Sequence, residues 1–256
     1  MNNLLVKIKE SLNAPQAAAL CIVTSVSGSA PGKIGAKMIV YSDGTIEGTV
    51  GGGGVEKRII QDALEQIRLQ TPQLKEYNLQ TDLGMTCGGA VSIYIEPLLR
   101  PSRLYIFGAG HIGKVLARYA PDMEFETFLI DWREDIFESP EGLRYKQICK
   151  PYLDAINDIT FDSESYCVIV TPNHDFDEEV LSAIGKKEIA YAGLIGSKRK
   201  IETLKKMFLE QSILTQDELD KVDMPIGIKF NAITPAEIAI SILAKLIDVK
   251  NTRKAG

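Results

Sequence analysis

The feature that most constrains this chain is the stretch Arg103–Tyr119, RLYIFGAGHIGKVLARY. A short apolar run, Leu104–Phe107, leads into Gly108-Ala109-Gly110-His111-Ile112-Gly113 and then into a helical pattern. Glycines at the first, third and sixth positions suit a tight turn, close approach of backbone to a phosphate, and close packing of helix on strand. The helix start adds free N–H donors and the positive end of the helix dipole. Phe125–Ile130 reads as a second strand, and Asp131 ends it 21 residues beyond Gly110, the reach at which an acid meets a ribose. Strand, glycine turn, helix and acid together specify a Rossmann-type domain. Whether that domain holds a dinucleotide is a separate question.

The rest of the second half supports the same class. Leu143–Cys149 is a weak strand, Tyr166–Thr171 a fully apolar one, Asp175–Gly185 a helix, and Glu188–Ile195 another buried strand. Ser197 opens a basic helix to about Gln211, and Thr234-Pro235-Ala236-Glu237 is a capping box that starts the last helix. Alternating strands and helices indicate α/β architecture with a parallel, doubly wound sheet over residues 102–256.

The first half reads differently. Met1–Leu12 has the pattern of an amphipathic helix, not a signal peptide. Ala17–Val26 is a buried strand, Ser27–Gly35 a loop, and Ala36–Tyr41 and Thr45–Val50 a hairpin about an Asp-Gly turn. Four consecutive glycines, Gly51–Gly54, precede a helix expected from about Val55, with apolar residues at 55, 59, 60, 63, 64 and 67. Gln73–Leu79 and Ala90–Glu96 are two further strands around the loop Thr81–Gly89. Residues 1–99 therefore form a smaller α+β domain.

Charge and cysteine content narrow the function classes. A net charge of −5 without a long basic run argues against nucleic acid as the main partner. No stretch reaches the roughly 18–20 apolar residues of a membrane span. Of Cys21, Cys87, Cys149 and Cys167, three lie in apolar runs where a buried reduced thiol is the ordinary reading, so a cytoplasmic protein is expected. Cys87 is the exception: it sits in the loop Met85-Thr86-Cys87-Gly88-Gly89, where neighbouring N–H groups can stabilise a thiolate.

The candidate site residues fall into four groups. Gly51, Gly52, Gly53 and Gly54 form a possible second anion cradle, although a tight connection alone needs one or two glycines, and Glu56 caps the helix with or without a ligand. Gly108, Gly110 and Gly113 make the fingerprint, His111 faces whatever they hold, and Asp131 follows. His174 and Asp177 lie past the carboxyl end of a strand, where ligands meet an open α/β sheet, yet they also suit a turn and N-cap. Ser197, Lys198 and Arg199 offer a serine N-cap and two cations to an anion, or merely face solvent. No catalytic constellation accompanies the fingerprint, and three potential ligands in one loop, His174, Asp175 and Asp177, do not make a closed metal site.

At these motifs the chain resembles the XdhC/CoxI family, accessory proteins of xanthine dehydrogenase and related molybdenum hydroxylases. The resemblance runs through Gly35-Ala36-Lys37-Met38, the glycine turn ending in Val55-Glu56, Cys87-Gly88-Gly89, Phe107–Gly113, His174 with Asp177, Gly193–Arg199, Pro225-Ile226-Gly227 and Thr234–Ala239. It implies a maturation factor that binds the molybdenum cofactor, holds it while a cysteine desulfurase adds the sulfido ligand, and delivers it to the apo-hydroxylase. It also implies a homodimer. Relatives often carry a cysteine at the position of Gly54 and a histidine at that of Pro172. This chain has neither, which leaves Cys87 as the main candidate thiol and implies no two-histidine metal site. The alternatives are an NAD(P)-dependent oxidoreductase, for which Asp131 would favour NAD, and a protein–protein scaffold.

Overall fold

A computed structural model of the chain describes residues 2–13, 16–81, 88–98 and 100–255. They divide into two units, Met1–Arg100 and Pro101–Gly256.

In the first unit, helix α1 (Asn2–Asn13) is followed by β1 (Ala18–Gly28), β2 (Lys37–Tyr41), β3 (Ile46–Gly48), helix α2 (Gly53–Leu69), β4 (Gln73–Asn78) and β5 (Gly89–Leu98). The strands form one antiparallel sheet in the order β3-β2-β1-β5-β4. Alternation along β1 decides which face each helix covers. Ala19, Cys21 and Val23 point into a core with Val55, Ile59 and Ala63 of α2, whereas Ala18 and Leu20 pack toward Leu4 and Ile8 of α1. A buried polar tie fixes α2 to β4: the Tyr77 hydroxyl donates to Asp62 Oδ2 at 2.7 Å, and Lys75 Nζ lies 2.9 Å from Oδ1.

The first hairpin is shorter than its sequence pattern. β3 stops at Gly48, which has φ 82°, and a Cβ there would lie 2.5 Å from the Lys37 carbonyl. The Thr49 N–H still donates to the Lys37 carbonyl at 3.2 Å, after which the chain enters the glycine turn, and α2 begins at Gly53, two residues ahead of Val55.

The second unit runs β6 (Ser102–Phe107), α3 (His111–Tyr119), β7 (Phe125–Asp131), β8 (Lys146–Cys149), α4 (Tyr152–Asp158), β9 (Ser165–Ile169), α5 (His174–Ile184), β10 (Tyr191–Leu194), α6 (Lys198–Glu210), α7 (Gln216–Asp220), β11 (Val222–Asp223) and α8 (Pro235–Ala255). All six strands are parallel, in the order β11-β10-β9-β6-β7-β8. This is the doubly wound Rossmann order, with its switch point between β6 and β9. Helices α4, α5 and α6 bury Tyr152, Leu181 and Phe208 on one face; α3 and α8 bury Leu116 and Ile242 on the other.

Short elements escape the sequence pattern: α4, α7 and the two-residue β11 each lack a long apolar period. Cys149 corrects the reading of three buried thiols. Cys21 and Cys167 are buried, and burial pushes the Cys21 thiol up to about 12. Cys149 is exposed, because it ends the edge strand β8, with β7 on one side only.

Candidate functional site

The carboxyl edge of the parallel sheet collects most of the candidate residues of the second unit. β6 delivers the glycine turn, β9 the loop before α5, and β10 the loop before α6. In a doubly wound sheet this edge, at the switch point, is where ligands bind.

Each fingerprint glycine has a distinct steric reason. Gly108 has φ 114°, and a Cβ there would lie 2.3 Å from the Val170 carbonyl oxygen, so the turn is wedged against the end of β9. At Gly113 a Cβ would fall 1.9 Å from the Gly108 carbonyl oxygen, which forces the close packing of α3 on its strand. Gly110 is different: nothing lies within 4 Å of its Cβ position. It is the N-cap of α3 and offers no side chain to the first helical N–H groups. The turn is thus open on one side, where an anion can approach backbone donors. His111 begins α3 and is exposed.

Asp131 is fully buried and turned onto the protein itself. Its Oδ2 accepts from the Ala109 N–H at 2.8 Å and from Arg133 Nη2 at 2.8 Å, while Oδ1 accepts from Arg133 Nε at 2.9 Å. Burial alone would raise its pKa, but the hydrogen bonds from Arg133 and Ala109 outweigh it and hold the carboxyl below its ordinary value. The acid expected to read a ribose instead braces the glycine turn.

His174 and Asp177 occupy the first turn of α5, capped by Asn173, whose side chain accepts from the Phe176 N–H. The imidazole is exposed, and the Asp177 carboxylate is buried. Thr171 Oγ1 donates to Asp177 Oδ1 at 2.6 Å, and Lys200 Nζ reaches Oδ2 at 2.5 Å. Ser197 caps α6 by accepting from the Lys200 N–H at 3.3 Å. His174, Asp177, Ser197, Arg199 and Lys200 line a pocket of about 400 Å³ between the starts of α5 and α6, whereas exposed Lys198 lies outside that lining. The Arg199 guanidinium has no acidic partner among the described residues. Thr171 and Lys200 escaped sequence reasoning. The readable signal for Lys200 was its place three residues after a serine N-cap, where a helical side chain turns back over the first turn.

In the first unit the expected anion cradle is filled by the chain's own carboxylate. Glu56 Oε1 accepts from the Gly52 N–H at 3.0 Å, the Val50 N–H at 3.1 Å and the Thr49 hydroxyl at 2.5 Å. Burial opposes ionisation there, but these donors together with the Gly51 N–H lower the Glu56 pKa. Gly51, Gly52 and Gly53 all have positive φ, and the Cβ positions of Gly52, Gly53 and Gly54 meet nothing within 4 Å. Gly88 and Gly89 lead into β5 against Gly28, where a Cβ on Gly89 would lie 2.6 Å from the Ser27 carbonyl oxygen. Close strand approach accounts for Gly89. Cys87 lies outside the described residues.

Fold and edge define a protein of two units, the second a Rossmann-type binding domain with glycine and basic loops gathered at one edge. The model described as "XdhC Rossmann domain" matches residues 104–246, and that described as "XdhC and CoxI family" matches residues 11–78. The chain belongs to the XdhC and CoxI family. It is 30% identical to the uncharacterized protein YqeB of Escherichia coli K12, over 96% of this chain and 46% of that one. It is 24% identical to a probable xanthine dehydrogenase subunit from Bacillus subtilis 168, over 62% of this chain and 46% of that one. It is also 24% identical to the molybdenum cofactor insertion chaperone PaoD of Escherichia coli K12, over 94% of this chain and 86% of that one. The chain thus spans about half the length of the first two relatives. A solved structure of a xanthine dehydrogenase from Bacillus halodurans shares the fold with a TM-score of 0.53 at 22% identity, over 97% of this chain and 96% of that one.

Proposed function

We propose that this chain is an accessory protein of the cytoplasm that binds the molybdenum cofactor, holds it during sulfuration and delivers it to a xanthine dehydrogenase-type hydroxylase. The observation that carries the reading is the match to the insertion chaperone PaoD across nearly the whole of both chains. The name of the Bacillus subtilis relative supports a hydroxylase of that type as the partner. A cysteine desulfurase is the second partner in this reading, and the working form is a homodimer.

The residues suit an anionic pterin. Gly110 leaves a space that a Cβ would fill, beside the uncapped start of α3. Arg199 and the Ser197-capped start of α6 offer positive charge at the same sheet edge. Gly108, Gly110, His111 and Gly113 would hold the phosphate, with His174, Asp177, Ser197, Lys198 and Arg199 beside it. Cys87 is the candidate thiolate of the first unit in this reading. When bound, the cofactor supplies molybdenum redox chemistry to the recipient enzyme. The chain's own part is to bind, orient and release it.

Equilibrium dialysis of the purified protein against the cofactor tests the reading. Micromolar binding, weakened by Cys87→Ser and by Arg199→Ala, is the expected result. Absence of binding at micromolar concentration would sink it.

A further inference from the structure

The pocket between α5 and α6 is lined by two stripes of side chains at helical spacing. His174 and Glu178 stand one turn apart on α5, and Arg199, Thr203 and Met207 follow one another along α6. A closed pair ties the two helices together: Lys200 of α6 holds buried Asp177 of α5, and both charges are spent on each other. The chemistry changes along the pocket. Ser197 and Arg199 lie at the start of α6, whereas Leu204 and Met207, further along the helix, belong to or pack against the apolar core beneath.

Next to that closed pair in sequence stands an open one. Half-buried Glu178 has no hydrogen-bond or ion-pair partner for its carboxylate among the described residues, and the Arg199 guanidinium has no acidic partner there. Both line the same pocket, yet they do not meet. A ligand that is only an anion would meet repulsion from Glu178, and one that is only a cation would meet it from Arg199. A small molecule carrying both charges a few bonds apart satisfies the two at once.

We propose that this pocket binds a free α-amino acid with an apolar side chain. Arg199, at the positive end of the α6 dipole, takes its carboxylate, and Glu178 takes its ammonium group. Its side chain lies on Leu204 and on the adaptable thioether of Met207. The volume of about 400 Å³ is at the small end of ligand pockets and suits so small a molecule. The inference goes beyond the maturation reading. The two share His174, Asp177, Ser197 and Arg199, whereas Glu178, Leu204 and Met207 belong to this pocket alone.

Calorimetric titration of the full chain with L-leucine and L-methionine tests the site. Saturable binding is expected. It should be weaker by about tenfold or more for isocaproate, which lacks the ammonium group, and for isopentylamine, which lacks the carboxylate, because each loses one charge-assisted contact. Glu178→Gln breaks no contact of that side chain within the described residues, so it should keep the wild-type melting temperature. It should nevertheless bring leucine down to the affinity of isocaproate, and Arg199→Ala should bring it down to that of isopentylamine. No saturable binding in tens of millimolar amino acid would overturn the proposal, as would leucine affinity unchanged in Glu178→Gln. Isocaproate binding as tightly as leucine would also overturn it, by marking a plain anion site. Dialysis against the pterin cofactor separates this site from the maturation role. Glu178→Gln should bind the cofactor as the wild type does while losing the amino acid; equal loss of both would assign the pocket to the cofactor and overturn the amino-acid site. Amino-acid binding without any cofactor binding would sink the maturation role and leave this site standing.

Discussion

The Asp131 carboxylate accepts the Ala109 N–H at 2.8 Å, joining the end of β7 to the inside of the glycine turn on β6. Because Arg133 neutralises the same carboxylate, the turn is braced by a buried, fully paired anion. Asp131→Asn keeps an acceptor but cannot serve Ala109 and the Arg133 fork equally. We expect a loss of about 2–4 kcal/mol in urea unfolding, in the range for breaking a buried charged pair. The sign of the pH dependence follows from the lowered pKa: the contribution is present above the ordinary carboxylate value and disappears as pH falls through the folded value. The gap between wild type and Asp131→Asn should therefore narrow in strong acid.

Glu56 fills a nest of backbone donors at the start of α2, so an incoming anion has to displace it. Glu56→Ala should cost about 1–3 kcal/mol, the value of charge-assisted hydrogen bonds left unmade. It should also create a site that the wild type closes. Inorganic phosphate should raise the melting temperature of Glu56→Ala and leave the wild type unmoved; equal responses would show that the carboxylate does not guard the loop.

The glycines of the fingerprint should respond unequally to the same substitution. Gly108→Ala drives a Cβ into the Val170 carbonyl at a φ of 114° and should cost at least about 2 kcal/mol. Gly110→Ala meets nothing and should leave stability within about 0.5 kcal/mol of wild type. Thermal melts of the two variants side by side decide the point.

Lys200 is tied to buried Asp177, which Thr171 orients from the other side. Lys200→Met strands a carboxylate that is 2% exposed and should cost about 2–4 kcal/mol. The double variant Lys200→Met with Asp177→Asn should be less destabilised than the sum of the two singles, as coupled partners are. Additive losses would show that the pair is not a unit.

The Rossmann unit was legible because its signals are local. A strand, a glycine turn with fixed spacing and a helix are written in consecutive residues, and steric demands at Gly108 and Gly113 admit little else. The family motifs were legible for the same reason, and the family matches agree with them. Partnerships across the fold were not. The carboxylate of Asp131 points inward because Arg133 and Ala109 supply donors there, and Glu56 closes the glycine turn because three N–H groups converge on it. Sequence spacing identifies an acid within reach of a loop, but not the donor its oxygens will choose. Sequence alone therefore determined the class of fold and which loops reach the carboxyl edge. Tertiary structure decided which groups there are spent on the protein itself, as Asp131 and Glu56 are, and which stand open, as Gly110, Glu178 and Arg199 do, because packing brings donors and acceptors together from separate strands.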